Sequence, residues 1–135
     1  MPETDAIPVS ASVASTGKGI RYIGRKHAFG YSGNATVTDS VLSLLDFSTG
    51  TEYIVGQMQP FVGTANASDN YQFIIKFNGQ IIATMVTTSD INNRDYISYL
   101  VIPPFTHIEI TAANITDTSA NLVSATITGR VYGAA

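Results

Sequence analysis

Apolar and polar residues alternate with a period of two along most of the chain after Gly33. Between Tyr71 and Phe77 the aromatic and aliphatic side chains fall on one face, while Gln72 and Lys76 fall on the other. Such alternation is typical of strands with one face in a core. We expect eight strands after Gly33 and no helix longer than two turns, because short alternating runs between polar turns are typical of β-sandwiches and barrels.

Turn residues between these runs predict where the strands end. Asn78-Gly79 stands directly between two alternating runs, and both residues accept the positive φ of a type I′ turn, so a β-hairpin is predicted there. Pro103-Pro104 ends a strand because proline cannot donate a hydrogen bond to a neighbouring strand. Gly129, inside the last alternating run, is interpreted as the mark of a bulge.

The pattern predicts an all-β fold, namely an eight-stranded antiparallel sandwich of jelly-roll type with an extended N-terminal arm. One tight hairpin combined with longer crossover connections suits a jelly roll. An immunoglobulin-like sandwich is the alternative, although such domains usually carry a core Trp and paired Cys. This chain has no Trp and no Cys.

Residues 1–18 are small and polar and lack any helical period, and the charge changes from Lys18 to His27. We interpret residues 1–27 as the extended arm and residues 28–135 as the β-sandwich domain, since 135 residues suit a single domain. The segment Met1 to Ser15 has two acidic residues, no basic residue and no long apolar run. The sequence therefore predicts neither a secretory signal nor a membrane-spanning segment.

Charge is scarce and unevenly distributed. Charged residues make up 13% of the chain and apolar residues 44%, whereas about a quarter of the residues of an ordinary domain are charged. This balance predicts that part of the surface is buried against copies of the chain or against a partner. The first 30 residues carry a net charge of +2 and the remainder a net charge of −5.

Four of the seven basic residues lie together near the end of the predicted arm: Lys18, Arg21, Arg25 and Lys26. We interpret them as contact residues of an arm that docks on a protein partner, with a solvated basic linker as the alternative. Nucleic acid is the weaker candidate partner, because the body of the chain is acidic and the pI is about 5.1.

Two predicted strands carry apolar residues on both faces. A sheet in a free monomer normally leaves one face to water. We therefore expect an oligomer interface on a sheet face, with cover by the chain's own arm as the alternative. The residues assigned to this interface are Ile74, Ile97, Tyr99 and Val101.

Candidate catalytic and metal-ligating residues are few. The chain has two histidines, His27 and His107, without the short His–His spacings of a zinc site, and it has no Gly-x-Ser-x-Gly motif. We expect no enzyme activity, no metal and no cofactor.

The seven tyrosines are spread along the chain and are interpreted as sheet residues. Stacking on sugars is the alternative, with the loops at 66–70 and 90–96 as candidate sites.

Several short motifs resemble small jelly-roll virion proteins of tailed bacteriophages, of the capsid decoration and head-fibre type. The motifs are Tyr31-Ser32-Gly33, Leu44-Leu45-Asp46-Phe47, Tyr53-Ile54-Val55, Phe77-Asn78-Gly79, Ile102-Pro103-Pro104-Phe105-Thr106 and Thr128-Gly129-Arg130-Val131-Tyr132. The resemblance covers about residues 28 to 133. Members of these families tend to be trimeric and are fixed to the capsid by an extended N-terminal segment.

The resemblance implies a structural virion protein, an auxiliary capsid or decoration protein that binds and stabilises the capsid surface as a homotrimer. Its partners would be copies of itself and the major capsid protein or another virion protein, with no nucleic acid and no membrane. The alternative is a carbohydrate- or receptor-binding β-sandwich of a phage fibre or tail, for which the partner would be a host-surface glycan.

Overall fold

The computed structural model describes residues 19–23, 26–63, 69–87 and 98–133. Within them the chain is all-β, without a helix, and forms ten strands rather than eight, because two short strands precede Gly33. The strands are β1 (Arg21–Ile23), β2 (His27–Tyr31), β3 (Ala35–Val37), β4 (Leu42–Ser48), β5 (Tyr53–Val62), β6 (Tyr71–Phe77), β7 (Gln80–Thr87), β8 (Ser98–Ile102), β9 (His107–Asn114) and β10 (Asn121–Tyr132). None of the described residues forms a helix long and apolar enough to cross a membrane.

The strands form two antiparallel sheets. The six-stranded sheet has the order β1-β2-β10-β5-β8, and β3 also pairs with β10. The four-stranded sheet has the order β4-β9-β6-β7. The long strand β10 organises the first sheet, since it pairs with β5 along one side and with β3 and then β2 along the other.

One cluster of buried side chains takes residues from both sheets. In β6 the buried positions are Tyr71, Phe73 and Ile75, which are the alternating residues that the sequence assigns to one face. In β10 the run from Val123 to Ile127 contributes its alternate residues to the same cluster. The predicted period of two is therefore confirmed in these two strands.

The six-stranded sheet extends into the range assigned to the N-terminal arm. Ile20 is 1% exposed and belongs to the buried cluster, and β1 pairs with β2 in antiparallel register. An apolar side chain gains free energy on leaving water, which explains why this part of a polar segment is held against the core. Residues 1–18 and 24–25 lie outside the described residues.

The hairpin predicted at Asn78-Gly79 is present and links β6 to β7. Asn78 has φ 51° and Gly79 has φ 82°, which are the positive values that a type I′ turn requires at both central residues. The Asn78 side chain also accepts a hydrogen bond from the His107 backbone N–H at 2.8 Å. The turn is thereby tied to the start of β9.

The interpretation of Gly129 as a bulge is wrong. β10 stays in register with β5 through this residue, which lies opposite Gly56. A Cβ at Gly129 would come within 2.9 Å of the Val55 carbonyl oxygen, so glycine is required there because two backbones approach closely. The register shifts lie instead in the four-stranded sheet, between Ser43 and Leu45 and between Ile75 and Lys76.

Candidate functional site

The predicted basic cluster is only partly within the described residues. Arg21 belongs to β1, and Lys26 is exposed in the turn that leads to β2. The Lys26 carbonyl oxygen accepts a hydrogen bond from the Val131 backbone N–H at 2.7 Å, which ties the backbone of Lys26 to β10. Lys18 and Arg25 lie outside the described residues, so contact by this group with a partner stays a prediction.

The residues assigned to an oligomer interface do not share one face. Tyr99 and Val101 project from the outer face of β8 and are 78% and 55% exposed. Ile74 is half-buried on the outer face of β6, in the other sheet. Ile97 lies outside the described residues. The prediction therefore divides into a strongly exposed pair on the six-stranded sheet and one partly covered residue on the four-stranded sheet.

The two sheets end on the same side in two edge strands, β7 and β8. Across the sheets, β3 contacts β9 and β10 contacts β4, so the two strand orders run in the same direction and their other ends, β8 and β7, lie on the same side of the sandwich. Both strands expose large apolar side chains. Tyr99 and Val101 project from the outer face of the six-stranded sheet, whereas Ile81 and Val86 project from the outer face of the four-stranded sheet. We call the exposed apolar residues of these two edge strands the β7–β8 flank and define it by Ile81, Ile82, Val86, Tyr99 and Val101.

A groove of about 390 Å³ lies on the outer face of the six-stranded sheet. It is lined by Tyr31, Asn34, Gln59, Pro60, Phe61, Ser124 and Thr126, and we call it the outer-face groove. Register builds it: Tyr31 on β2 lies opposite Thr126 on β10, which in turn lies opposite Gln59 on β5. Phe61 lies opposite Ser124 in the next outward-facing row.

The groove opens where the chain passes from β2 to β3. Both strands pair with β10, and the three residues between them leave the regular ladder. Ser32 anchors this break, because its N–H donates to the Ala125 carbonyl oxygen at 3.0 Å and its Oγ accepts from the Ala125 N–H at 2.9 Å. Gly33 has φ 73°, a value that glycine adopts without steric cost. Asn34 is exposed at the rim of the groove.

A polar network fixes the loop between β9 and β10. Asn114 is 2% exposed. Its Nδ2 donates to Asp69 Oδ2 and to the Ser119 carbonyl oxygen, both at 3.0 Å. Its Oδ1 accepts from the backbone N–H groups of Thr116 and Asp117 at 2.8 and 3.2 Å. Both Nδ2 and Oδ1 of the buried amide therefore have hydrogen-bond partners. These bonds close the loop in the way that a backbone hydrogen bond closes a turn.

Two titratable groups at this end have perturbed pKa values. The backbone N–H of Ser119 donates to Asp117 Oδ1 at 2.8 Å, and this hydrogen bond lowers the pKa of the Asp117 carboxyl. Burial raises the pKa of the Tyr71 hydroxyl, which accepts a hydrogen bond from Asn121 Nδ2 at 3.1 Å. The hydrogen bond from Ser119 and the burial of Tyr71 thus account for the two pKa shifts.

The side chains suited to metal ligation or proton transfer are scattered within the described residues. No group of three His, Asp or Glu side chains there is close enough to hold a metal ion. His107 Nε2 and Asp46 Oδ1 are 2.5 Å apart on neighbouring strands of the four-stranded sheet, and both side chains are partly exposed. This pair joins β9 to β4 at the surface.

Sequence reasoning did not find the outer-face groove. The loops at 66–70 and 90–96, interpreted as alternative sugar sites, stay predictions: Asp69 is buried beside Asn114 and Asn70 is exposed, while residues 66–68 and 90–96 lie outside the described residues. The sequence contains only a weak indication of the outer-face groove. Tyr31 and Phe61 are aromatic residues at outward positions of their strands, but only the pairing of both strands with β10 brings them together.

No family model matches the sequence, and no curated protein matches it. Among solved structures, the fold is similar to a chain described as "Bacillus endospore appendages form a novel family of disulfide-linked pili", with 12% sequence identity and a TM-score of 0.45. The similarity covers 88% of this chain and 96% of that chain.

Proposed function

We propose that the chain is a structural protein of jelly-roll type that associates with copies of itself through the β7–β8 flank, as an auxiliary capsid or decoration protein of a virion. The observation that carries the proposal is the exposure of five large apolar side chains on two edge strands, one at the end of each sheet. Large apolar surfaces of this kind usually mark sites of protein association.

The strand pairing supports the jelly-roll assignment. Among the last eight strands, β3 pairs with β10, β4 with β9, β5 with β8 and β6 with β7, which forms one long antiparallel ribbon. The further pairs β10–β5 and β9–β6 are those that arise when such a ribbon is rolled up. Jelly rolls are common in viral capsid proteins, in agreement with the resemblance of the sequence motifs.

Self-association is supported by the character of β8. It lies at the end of its sheet and pairs on one side with β5, and among the described residues no strand pairs with its other side. An edge strand with exposed apolar residues can pair or pack with another chain, and monomeric proteins usually protect such edges with charge or proline. No described residue of β8 is charged or proline. A second copy of the chain has the same apolar edge strand and can therefore cover this one. Oligomers of identical chains usually close into symmetric rings, and the homotrimer that the resemblance implies is such a ring.

Attachment to the particle is assigned to the basic cluster. Lys26 is exposed directly before β2. The net positive charge of the first 30 residues is opposite in sign to the net charge of the remainder of the chain. The proposed partner surface is an acidic region of the major capsid protein or of another virion protein. Ionic contacts of this kind weaken as salt is raised.

The association is tested by placing a charge in the flank. Val101→Lys should convert the oligomer to monomers in light scattering, because burying an unpaired ammonium group opposes packing. Val41→Lys is the matched control, since Val41 is also strongly exposed but lies before β4, away from the flank. It should leave the oligomer intact. A wild-type protein that is monomeric at micromolar concentration would contradict the proposal.

The location in a virion is tested by immunoelectron microscopy. An antibody raised against the purified protein should label the capsids of virions produced by the source of this sequence. Label confined to fibres or tails would favour the receptor-binding alternative instead of a decoration protein. Virions without any label would exclude the chain from the particle.

A further inference from the structure

We propose that the outer-face groove binds a neutral saccharide, with Tyr31 and Phe61 as aromatic platforms and Gln59 and Asn34 as polar contacts. The site uses β2, β5 and β10, whereas the proposed self-association uses β7 and β8. The inference therefore does not depend on the proposed function, and either one can fail without the other.

Tyr31 and Phe61, the two aromatic residues of the lining, belong to the strands on either side of β10. Tyr31 and Phe61 are 44% and 45% exposed, although both belong to paired strands. The strands of Tyr31 and Phe61 are two strand spacings apart, and Phe61 lies two residues further along its strand than the position level with Tyr31. Their backbones are therefore about 12 Å apart. A sugar ring carries C–H groups on its faces and hydroxyl groups around its rim. An exposed aromatic ring suits the apolar face of such a ligand, and the separation leaves room for a sugar between the two rings.

Polar side chains occupy the floor and the rim between the rings. Gln59 and Thr126 are half-buried and lie opposite each other, Ser124 lies in the next outward row, and Asn34 is at the rim. Each amide offers two N–H donors and a carbonyl acceptor on a short planar group, and each hydroxyl can both donate and accept. Adjacent sugar hydroxyls need this combination of donors and acceptors. A purely apolar ligand would leave these groups without partners, which is costly.

The lining contains no charged side chain among the described residues. The charged residue on the same face of β10 is Arg130, which lies opposite Val55, two outward rows from Thr126. A carboxylate or sulfate on the ligand would therefore find no cationic partner in the groove. The volume of about 390 Å³ falls within the range of small-molecule sites, which begins at about 300 Å³. These features favour an uncharged mono- or disaccharide unit.

The test is an NMR titration of the full-length protein with cellobiose, lactose and chitobiose at millimolar concentration. At least one of these probes should shift the side-chain NH₂ signals of Gln59 and Asn34 and the backbone signals of Ser124 and Thr126. Tyr31→Ala should weaken this binding by about tenfold, the loss expected for one aromatic contact. Gln59→Leu should weaken it as well, while Tyr31→Phe should preserve it.

Tyr99→Ala is the matched control, because it also removes an exposed tyrosine from the outer face of the same sheet but lies outside the groove. It should leave the titration unchanged. The spectrum of each variant reports whether the fold is retained before the titration begins. Absence of shifts with all three probes, or shifts that survive both Tyr31→Ala and Phe61→Ala, would overturn the proposal. Stronger binding of 3′-sialyllactose than of lactose would contradict the neutral character assigned to the ligand.

Discussion

Gly56 on β5 lies directly opposite Gly129 on β10, and the two backbones are too close for either residue to carry a side chain. A Cβ on Gly56 would lie 2.6 Å from Gly129 Cα, and a Cβ on Gly129 would lie 2.9 Å from the Val55 carbonyl oxygen. We expect Gly129→Ala to lower the free energy of unfolding by about 3 kcal/mol or more, because the backbone itself has to move to make room. Urea unfolding followed by circular dichroism measures the loss.

Gly79→Ala is the control for this substitution. It also replaces a glycine, but nothing lies within 4 Å of a Cβ at that position, where φ is 82°. The cost there is that of a left-handed backbone alone, about 1 to 2 kcal/mol. Equal losses for the two variants would show that the close approach of β5 and β10 does not limit stability.

Asn114→Ala should destabilise the fold more than its small change in volume suggests. The substitution removes the amide that satisfies the backbone N–H groups of Thr116 and Asp117 and that pairs with the buried Asp69. A buried group that loses its partner costs about 1 to 3 kcal/mol, a cost that applies to the buried Asp69 and not to the exposed Thr116 and Asp117. The midpoint of thermal unfolding should fall clearly, while Asn34→Ala, at an exposed position, should change it little. Similar midpoints for the two variants would contradict the structural role of Asn114.

The parts of the fold that the sequence predicted depend on neighbouring residues. The alternation around Phe73 follows from the pleat of a single strand, and the turn at Asn78-Gly79 follows from the φ values of two adjacent residues. These features were found because they need no knowledge of a distant partner. The strand β2 was missed because its partner in β10 lies about a hundred residues further along the chain, as the pairing of Ala28 with Gly129 illustrates.

The outer-face groove and the β7–β8 flank could not be predicted for the same reason. Tyr31 and Phe61 belong to different strands that meet only across β10. Tyr99 and Ile74 were assigned to one interface, and this assignment stays a prediction; the structure shows that the two residues project from different sheets. Periodicity assigns a residue to a face of its own strand, whereas strand order decides which faces lie together.

The hydrogen bond from Ser119 to Asp117 predicts a specific dependence of stability on pH. The folded state holds the pKa of this carboxyl below its usual value. The ionised carboxylate therefore stabilises the fold above the unfolded pKa of about 3.9, and this contribution is lost as the pH falls through the lower folded value. Asp117→Asn lacks this contribution, so its stability should converge with that of the wild type as the pH falls through the unfolded pKa of about 3.9 and then through the lower folded value.

Urea unfolding of the two proteins at several pH values measures this convergence. Carbon-13 NMR of the Asp117 carboxyl provides a direct check, and the midpoint of its titration should lie below about 3.9. Stability curves that stay parallel over the acid range, together with an unshifted midpoint, would show that the hydrogen bond from Ser119 does not favour the ionised form.

Two N-terminal truncations separate the part of the chain that belongs to the sheet from the segment that precedes it. Removing residues 1–18 keeps Ile20 and β1, whereas removing residues 1–26 deletes both. The longer truncation should be less stable than the shorter one by about 2 to 4 kcal/mol, because a fully buried Ile and the strand that pairs with β2 are lost. The substitution Ile20→Ala in the shorter truncation isolates the contribution of the side chain and should account for much of the difference. Equal stability of the two truncations would mean that β1 adds nothing to the sheet.

The proposed attachment predicts that removal of residues 1–26 also abolishes binding to the particle. The variant Lys26→Ala in the full-length chain should weaken that binding. It should not change the unfolding midpoint, since Lys26 is exposed.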